Sequence, residues 1–234
     1  MVASSDFASL ARLLQLASPA LPVGAYSYSQ GLESAVARGV VRDAQSAERW
    51  IGDVLEFSVA RMEAPLFLQC CKAWEKGDVA GAALLNERLL ASREAAELRA
   101  ETVQMGYSLN ELLRELEIGP VPLETPAFPA AFAYAAVRSR IEPRVALLAY
   151  LWSWVENQVM AALKAVPLGQ TAGQRMLLAF GERLPTVIEY AAAHAGGPDD
   201  QTGGLGPMAP GNFAPGLALL AAQHETQYSR LFRS

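Results

Sequence analysis

The amino-acid sequence predicts an all-α protein, folded as a single-domain helical bundle of about eight to ten helices. Apolar residues recur at helical spacing along most of the chain, and no stretch alternates apolar and polar residues long enough to indicate a sheet. Segments rich in proline and glycine separate the helical stretches. The length of 234 residues, without an internal repeat, favours one domain over residues 1–234.

Four helical patterns fill the first half of the chain. The first runs from Phe7 to Ala17, and the second is a single apolar stripe from about Ala44 to Met62. Leucines from Leu84 to Leu90 mark the third, and the stretch from Ser92 to Leu116 is rich in strong helix formers. Four prolines between residues 116 and 129 then force an irregular connection.

Further helices are predicted in the second half. The clearest extends from about Arg144 to Ala165, another ends near Ala195, and a final helix is expected from Pro215 to Phe232. Residues 196–216 contain seven glycines and four prolines, a composition that predicts a flexible loop. The apolar stripe of the helix over 144–165 consists of Leu148, Trp152, Val155, Val159 and Leu163.

Composition and charge narrow the classes of function. A net charge of −5 argues against nucleic acid as a partner, because phosphate binding needs clustered Lys and Arg. No segment reaches the ~18 uninterrupted apolar residues of a membrane-spanning helix. The first residues do not resemble a secretion signal. We therefore expect a cytoplasmic protein with neither a membrane nor a nucleic-acid partner.

Metal-ligating side chains are scarce, with two His and two Cys in the chain. Cys70 and Cys71 are adjacent, which excludes a disulfide framework and is typical of small buried residues on a helix. We expect His194 in a last helical turn and His224 at a surface or an interface. Unless carboxylates or a second chain contribute, four such residues are too few for a closed zinc site. The sequence predicts no metal site and no cofactor of the protein's own.

Enzyme motifs are missing as well. The chain has no phosphate-binding loop, no His-Glu-x-x-His motif and no nucleophile elbow. Two alternatives to a binding protein stay open on the residues alone. One is a small all-α cytosolic enzyme that uses Glu33 or Glu156 as a base, and the other is a purely structural dimer.

The segment from Leu21 to Glu33 is predicted to be a turn that leads into a helix. Its proline and glycines favour the turn, Ser27 or Ser29 can cap the helix, and Glu33 favours the helix start electrostatically. The two tyrosines beside the turn fit either a core or an interface.

Three blocks of the sequence together resemble the UreF-type urease accessory proteins. The first is Leu21–Glu33, the second runs from Glu156 to Gln170, and the third is His224–Ser234. They occur in the order of that family and span nearly the whole chain. The resemblance implies a cytosolic, all-helical, dimeric protein without enzymatic activity.

Partners also follow from the resemblance. Such a protein bridges the scaffold accessory protein UreD, called UreH in some systems, and the nickel-carrying GTPase UreG, while apo-urease receives nickel. Nickel favours imidazole and thiolate ligands, which are scarce here, so we expect the assembled complex to handle the metal.

Two regions are expected to contact these partners. The helical spacing of Asn157 and Lys164 places them on one face, from which they contact the GTPase together with Gln170 and Arg175. The apolar and basic C-terminal tail is expected to become ordered on a partner. The predicted partner-binding residues are Tyr26, Ser27, Gln30, Glu33, Asn157, Lys164, Gln170, Arg175, Tyr228, Arg230, Leu231, Phe232 and Arg233.

Overall fold

The computed structural model describes residues 4–196 and 213–234 and confirms the all-α prediction. Within these two ranges the chain forms ten α-helices and no strand. Most of the predicted flexible loop, residues 197–212, lies outside the described residues. The helices are Ser4–Ala17 (α1), Leu32–Ala37 (α2), Ala44–Val54 (α3), Ala64–Lys76 (α4), Val79–Ala91 (α5), Ala96–Glu115 (α6), Phe128–Arg138 (α7), Pro143–Ala165 (α8), Gln170–His194 (α9) and Pro215–His224 (α10).

Helix α8 lies at the centre of the bundle and packs against α9, α1, α7, α4, α2 and α3. Its Tyr150 is buried in an aromatic cluster, stacked on Phe67 at 5.2 Å and edge-on to Phe132 at 5.5 Å between ring centroids. Because other helices surround α8, residues on most of its sides are buried, and not only the single predicted stripe. Leu148 from that stripe is 40% exposed, whereas its neighbour Leu147 is fully buried.

The predicted helix over 44–62 is α-helical only in its first half. Asp43 starts it with a capping box, accepting a hydrogen bond from Ser46 N at 2.8 Å. From Leu55 to Glu63 the backbone is π-helical before α4 begins. Pro65, in the first turn of α4, has no N–H to donate back to residue 61, so an α-helical ladder cannot continue unbroken through this point.

Two other helix boundaries differ from the prediction. Helix α6 begins at Ala96 rather than Ser92, because Ser92 ends α5 and its hydroxyl donates to the Leu89 carbonyl. Helix α10 ends at His224 rather than Phe232, and the chain beyond it turns back. In the part of the chain that the structure describes, no helix combines the length and apolarity needed to cross a membrane.

Candidate functional site

The C-terminal tail, residues Tyr228–Ser234, docks on the segment that precedes α2. The main-chain oxygen of Ser234 accepts hydrogen bonds from Ser29 N at 2.8 Å and Ser29 Oγ at 2.5 Å. Arg233 N donates to the Ser27 carbonyl at 2.8 Å. The tail is therefore ordered by contacts with its own chain. The sequence predicted that it would become ordered on a partner.

Glu33, in the first turn of α2, is the anchor of this docking. The residue is only 6% exposed. One carboxylate oxygen accepts from Leu231 N at 2.7 Å and from Gln227 Nε2 at 3.4 Å, and the other accepts from Phe232 N at 3.0 Å. The tail amides that a longer α10 would have used within the helix are satisfied by this carboxylate instead.

His224, expected at a surface or an interface, is fully buried. Its Nε2 lies 3.2 Å from Glu33 Oε2, and its Nδ1 lies 2.6 Å from Glu97 Oε2 on α6. The other oxygen of Glu97 accepts from Arg230 Nη1 at 2.6 Å. Contacts with two carboxylates thus replace the hydrogen bonds to water that the buried imidazole has lost. A surface position would not need them.

Gly31 lies where α10 closely approaches the segment before α2, which explains why this position has no side chain. Gly31 caps α2 with φ = 77°, and a Cβ there would lie 3.3 Å from Leu217 Cδ1 and 3.4 Å from Ala221 N. Neither predicted serine occupies the capping position, but Ser29, two residues before Gly31, satisfies a first-turn amide, because its Oγ accepts from Glu33 N at 3.3 Å. A larger residue at position 31 would be strained by the positive φ and would require Leu217 and the main chain at Ala221 to shift by a few tenths of an ångström.

Helix α8 contacts both the tail and the segment before α2. Lys164 Nζ lies 5.7 Å from the Tyr26 ring centroid and 5.6 Å from that of Phe232, so one ammonium group faces a loop ring and a tail ring. Asn157 Nδ2 donates to the Tyr28 carbonyl at 3.2 Å. The structure therefore brings the first and third resemblance blocks together on α8.

Gln30 connects the segment before α2 to the interior. Its Oε1 accepts from Trp154 Nε1 at 2.8 Å, and its Nε2 donates to Glu101 Oε1 at 2.7 Å. Glu101 also accepts from Ser234 Oγ at 2.8 Å. Burial raises the pKa of the Glu101 carboxyl against the opposing effect of these hydrogen bonds.

Two predicted partner residues stand apart from this assembly. Gln170 and Arg175 lie exposed on the first two turns of α9, and no described contact joins them to Lys164. The predicted four-residue patch is therefore split, with Asn157 and Lys164 beside the tail and the other two on a separate helix.

The exposed side chains define what the site offers to a partner. Tyr228 is fully exposed, Leu231 is 70% exposed and Tyr26 is 67% exposed, whereas Phe232 is buried at 6%. We call the exposed set Tyr26, Lys164, Tyr228, Leu231 and Arg233 the tail surface. Phe232 holds the tail in place and is not itself part of that surface.

The family model named UreF matches residues 41–181. Urease accessory protein UreF of Azoarcus sp. (strain BH72) is 56% identical, with 96% of this chain and 95% of that protein aligned. The chain belongs to the UreF family. UreF of Dechloromonas aromatica (strain RCB) is 53% identical over 96% of this chain and 97% of its own length. UreF of Janthinobacterium sp. (strain Marseille) is 47% identical, with 96% and 98% covered.

A cavity of about 180 Å³ opens beside the tail surface of this UreF-family chain. Apolar residues of α1, α6 and α8 line it, together with the ion pair of Glu63 with Arg93. Tyr150 Oη donates to Glu63 at 2.5 Å. Glu156 also lines the cavity, and partial burial raises the pKa of its carboxyl.

The metal-ligating side chains are dispersed over the UreF-family fold. Cys70 and Cys71 are buried, unpaired thiols of α4, and burial raises the pKa of Cys70 to about 12. His194 lies in the last turn of α9, as predicted, with Nδ1 2.7 Å from the Tyr190 carbonyl. Among the described residues no group of three or more His, Cys, Asp or Glu is arranged to hold a metal ion.

The sequence reasoning missed two carboxylates that organise the site. Glu97 and Glu101 are one helical turn apart on α6 and point to the same side, one toward His224 and the other toward Ser234. Their i, i+4 spacing was a usable signal. In an alanine-rich helix, however, the same spacing is usual for a solvated face.

Proposed function

We propose that this chain is a urease accessory protein that bridges the UreD/UreH scaffold and the UreG GTPase during maturation of the urease nickel site. It acts in the cytoplasm by binding these proteins and apo-urease, and it has no catalytic step of its own. Support comes from family membership, from relatives named urease accessory proteins, and from the docked tail with its exposed surface.

The tail surface is the observation that carries this proposal. Aromatic residues and arginine are enriched at the centres of protein interfaces, and Tyr26, Tyr228 and Arg233 supply them here. Leu231 adds apolar area, and Lys164 adds a positive charge suited to an acidic partner. Hydrogen bonds hold the main chain of this surface, which lowers the entropy lost on binding.

The alternative that Glu33 is a catalytic base loses support from its contacts. Three donors, from Gln227, Leu231 and Phe232, surround its two oxygens, and the His224 ring lies 3.2 Å from one of them. A carboxylate occupied in this way has no free lone pair aimed at a substrate. Glu156 lines a cavity but has no neighbouring nucleophile or electrophile stabiliser among its described contacts, so we do not assign it a reaction.

The nickel chemistry also favours a bridging role over storage. Nickel prefers imidazole and thiolate ligands, and the imidazole of His224 already faces two carboxylates. Both cysteines are buried as thiols with raised pKa values. We therefore propose that nickel is handled by the assembled complex. We also propose a homodimer, which the exposed apolar residues Phe7, Leu10 and Leu14 on α1 support.

The GTPase contact is tested by charge reversal at single positions. Lys164→Glu should reduce capture of the GTPase at least about tenfold, because like charges at a close contact cost several kcal/mol. Lys164→Arg keeps the charge and should be much milder. Lys72→Glu, at an exposed position of α4, is the matched control. Arg175→Glu shows whether α9 belongs to the same contact. Wild-type capture by Lys164→Glu would contradict the assignment.

The scaffold contact is tested on the two most exposed tail residues. Tyr228→Ala with Leu231→Ala removes apolar area that the chain itself does not bury, so the fold should be unchanged. We expect loss of scaffold capture in a pull-down together with an unaltered circular dichroism spectrum. Leu84→Ala, at a residue that is 60% exposed on α5, is the control. Equal capture by all three proteins would show that the tail surface is not the scaffold contact.

A further inference from the structure

The contacts of buried His224 bear on whether its ring carries one proton or two. Both ring nitrogens lie within hydrogen-bonding distance of a carboxylate oxygen, 2.6 Å for Glu97 and 3.2 Å for Glu33. A neutral imidazole carries one N–H and can donate to only one of these oxygens, whereas the doubly protonated ring donates to both. The geometry therefore fits the imidazolium form.

The charges around the ring lead to the same conclusion. Glu33 of α2 and Glu97 of α6 face the ring, and the guanidinium of Arg230 is bonded to the far oxygen of Glu97. With a neutral ring this cluster carries a net charge of −1, and with an imidazolium it is neutral. A charge taken out of water without compensation is costly, and an imidazolium supplies the compensation that a neutral ring between two carboxylates does not.

Other ionisable groups nearby are engaged elsewhere. Glu225, next in the chain, is exposed and accepts from Ala96 N at 2.9 Å. Glu101, one turn further along α6, holds Gln30 and Ser234. Neither has a described contact with the ring. Within residues 4–196 and 213–234, the charged groups at the ring are Glu33 and Glu97, and Arg230 acts on it through Glu97.

The same carboxylates hold the tail. Glu33 accepts from Leu231 N and Phe232 N, and Glu97 accepts from Arg230. We propose that His224, Glu33 and Glu97 form a proton-controlled latch for the C-terminal tail. With the ring protonated, both carboxylates are held in the positions that bind the tail. Loss of the proton leaves one carboxylate facing a bare ring nitrogen, and that repulsion releases the tail.

The latch therefore weakens as pH rises. The protonated ring donates to both carboxylates and the neutral ring to only one, so the contacts that hold the tail are complete at low pH and incomplete once the proton has left. Imidazole is the side chain that ordinarily changes charge between about pH 5 and 8. This inference concerns the isolated chain and stands or falls independently of any partner.

Hydrogen exchange on the full-length protein tests the latch directly. Protection factors of the Leu231 and Phe232 amides, corrected for the intrinsic rate, should fall at least about tenfold between about pH 5.5 and 8.5. The amides of buried Leu151 and Val155 on α8 report global unfolding and should keep their protection. Constant protection of the tail amides over this range would overturn the proposal.

Three variants separate the latch from general pH effects. His224→Gln removes the titrating ring and should abolish the pH dependence, whereas His194→Gln, at the other histidine, should leave it intact. Glu97→Gln removes one facing charge while keeping a polar side chain, and should reduce the dependence even if His224→Gln does not fold. A tail pH dependence that persists in Glu97→Gln and in folded His224→Gln would refute the latch.

Discussion

The sharpest consequence of the structure concerns Glu33→Gln, which changes one oxygen to an amide and leaves the side-chain shape nearly unchanged. Leu231 N approaches one carboxylate oxygen at 2.7 Å and Phe232 N approaches the other at 3.0 Å. Whichever way the new amide is oriented, its NH₂ group must face a main-chain N–H. One buried donor is therefore left unsatisfied in either orientation.

The expected loss is large for such a small change. A hydrogen bond to a charged group contributes about 1.5–3 kcal/mol, and a buried unsatisfied donor costs about 1–3 kcal/mol. We expect Glu33→Gln to lower the free energy of unfolding by about 3–5 kcal/mol, similar to breaking a buried charged pair. Release of the tail would limit the loss to the free energy of docking.

Urea unfolding and hydrogen exchange measure the two parts of this effect. Unfolding curves give the change in stability, and protection of the Leu231 and Phe232 amides shows whether the tail has been released. Glu87→Gln, at an exposed carboxylate of α5, should change stability by less than about 0.5 kcal/mol. If Glu33→Gln matched Glu87→Gln in stability and kept both amides protected, the role assigned to Glu33 would be wrong.

Four further predictions concern Glu101, the two cysteines, nickel binding and the tail. Burial raises the pKa of Glu101, so its carboxyl binds a proton more readily in the folded state than in the unfolded state. The wild type should therefore lose stability relative to Glu101→Gln as pH rises from about 5 to 7. The same difference in free energy of unfolding between the two proteins at both pH values would contradict this. Cys70 and Cys71, whose thiol pKa values are raised by burial, should resist a disulfide reagent at pH 8 and react in urea, and rapid native labelling would contradict their burial. Tag-free protein should bind Ni²⁺ no tighter than about micromolar in calorimetry, and a tighter stoichiometric site would argue against bridging. Deleting Tyr228–Ser234 should reduce stability by urea unfolding, since the buried Glu33 carboxylate loses its tail donors, and unchanged stability would show that the docked tail contributes nothing.

Local sequence patterns predicted the long helices α6, α8 and α9 well, because helix formation depends on residues three or four positions apart, but they gave no bounds for α4 and α7. The bounds of α8 came within one residue of the expected range, and α9 ended at His194 next to the predicted Ala195. The stripe assigned to α8 was wrong in part, since a helix contacted on most sides has no single apolar face. Whether a helix is central is a property of the fold and not of its own spacing.

The site itself depended on contacts that no local pattern encodes. His224 and Glu33 are separated by 191 positions in the chain, and their approach follows from how α10 crosses α2. Periodicity extended the last helix to Phe232, whereas a distant carboxylate takes the amides of Leu231 and Phe232 instead. Tyr26, Gln30 and Lys164 were predicted to bind partners, and that prediction stays open; their position beside the tail, or one contact away from it, was not predicted.

The bridging role is tested most directly by size-exclusion chromatography of purified scaffold, GTPase and this chain, with light scattering to count the copies. We predict that the GTPase co-elutes with the scaffold only when this chain is present, and that Lys164→Glu retains the scaffold but loses the GTPase. Co-elution of GTPase and scaffold without this chain, or an undiminished three-part complex with Lys164→Glu and with Tyr228→Ala/Leu231→Ala, would contradict a bridge through the tail surface.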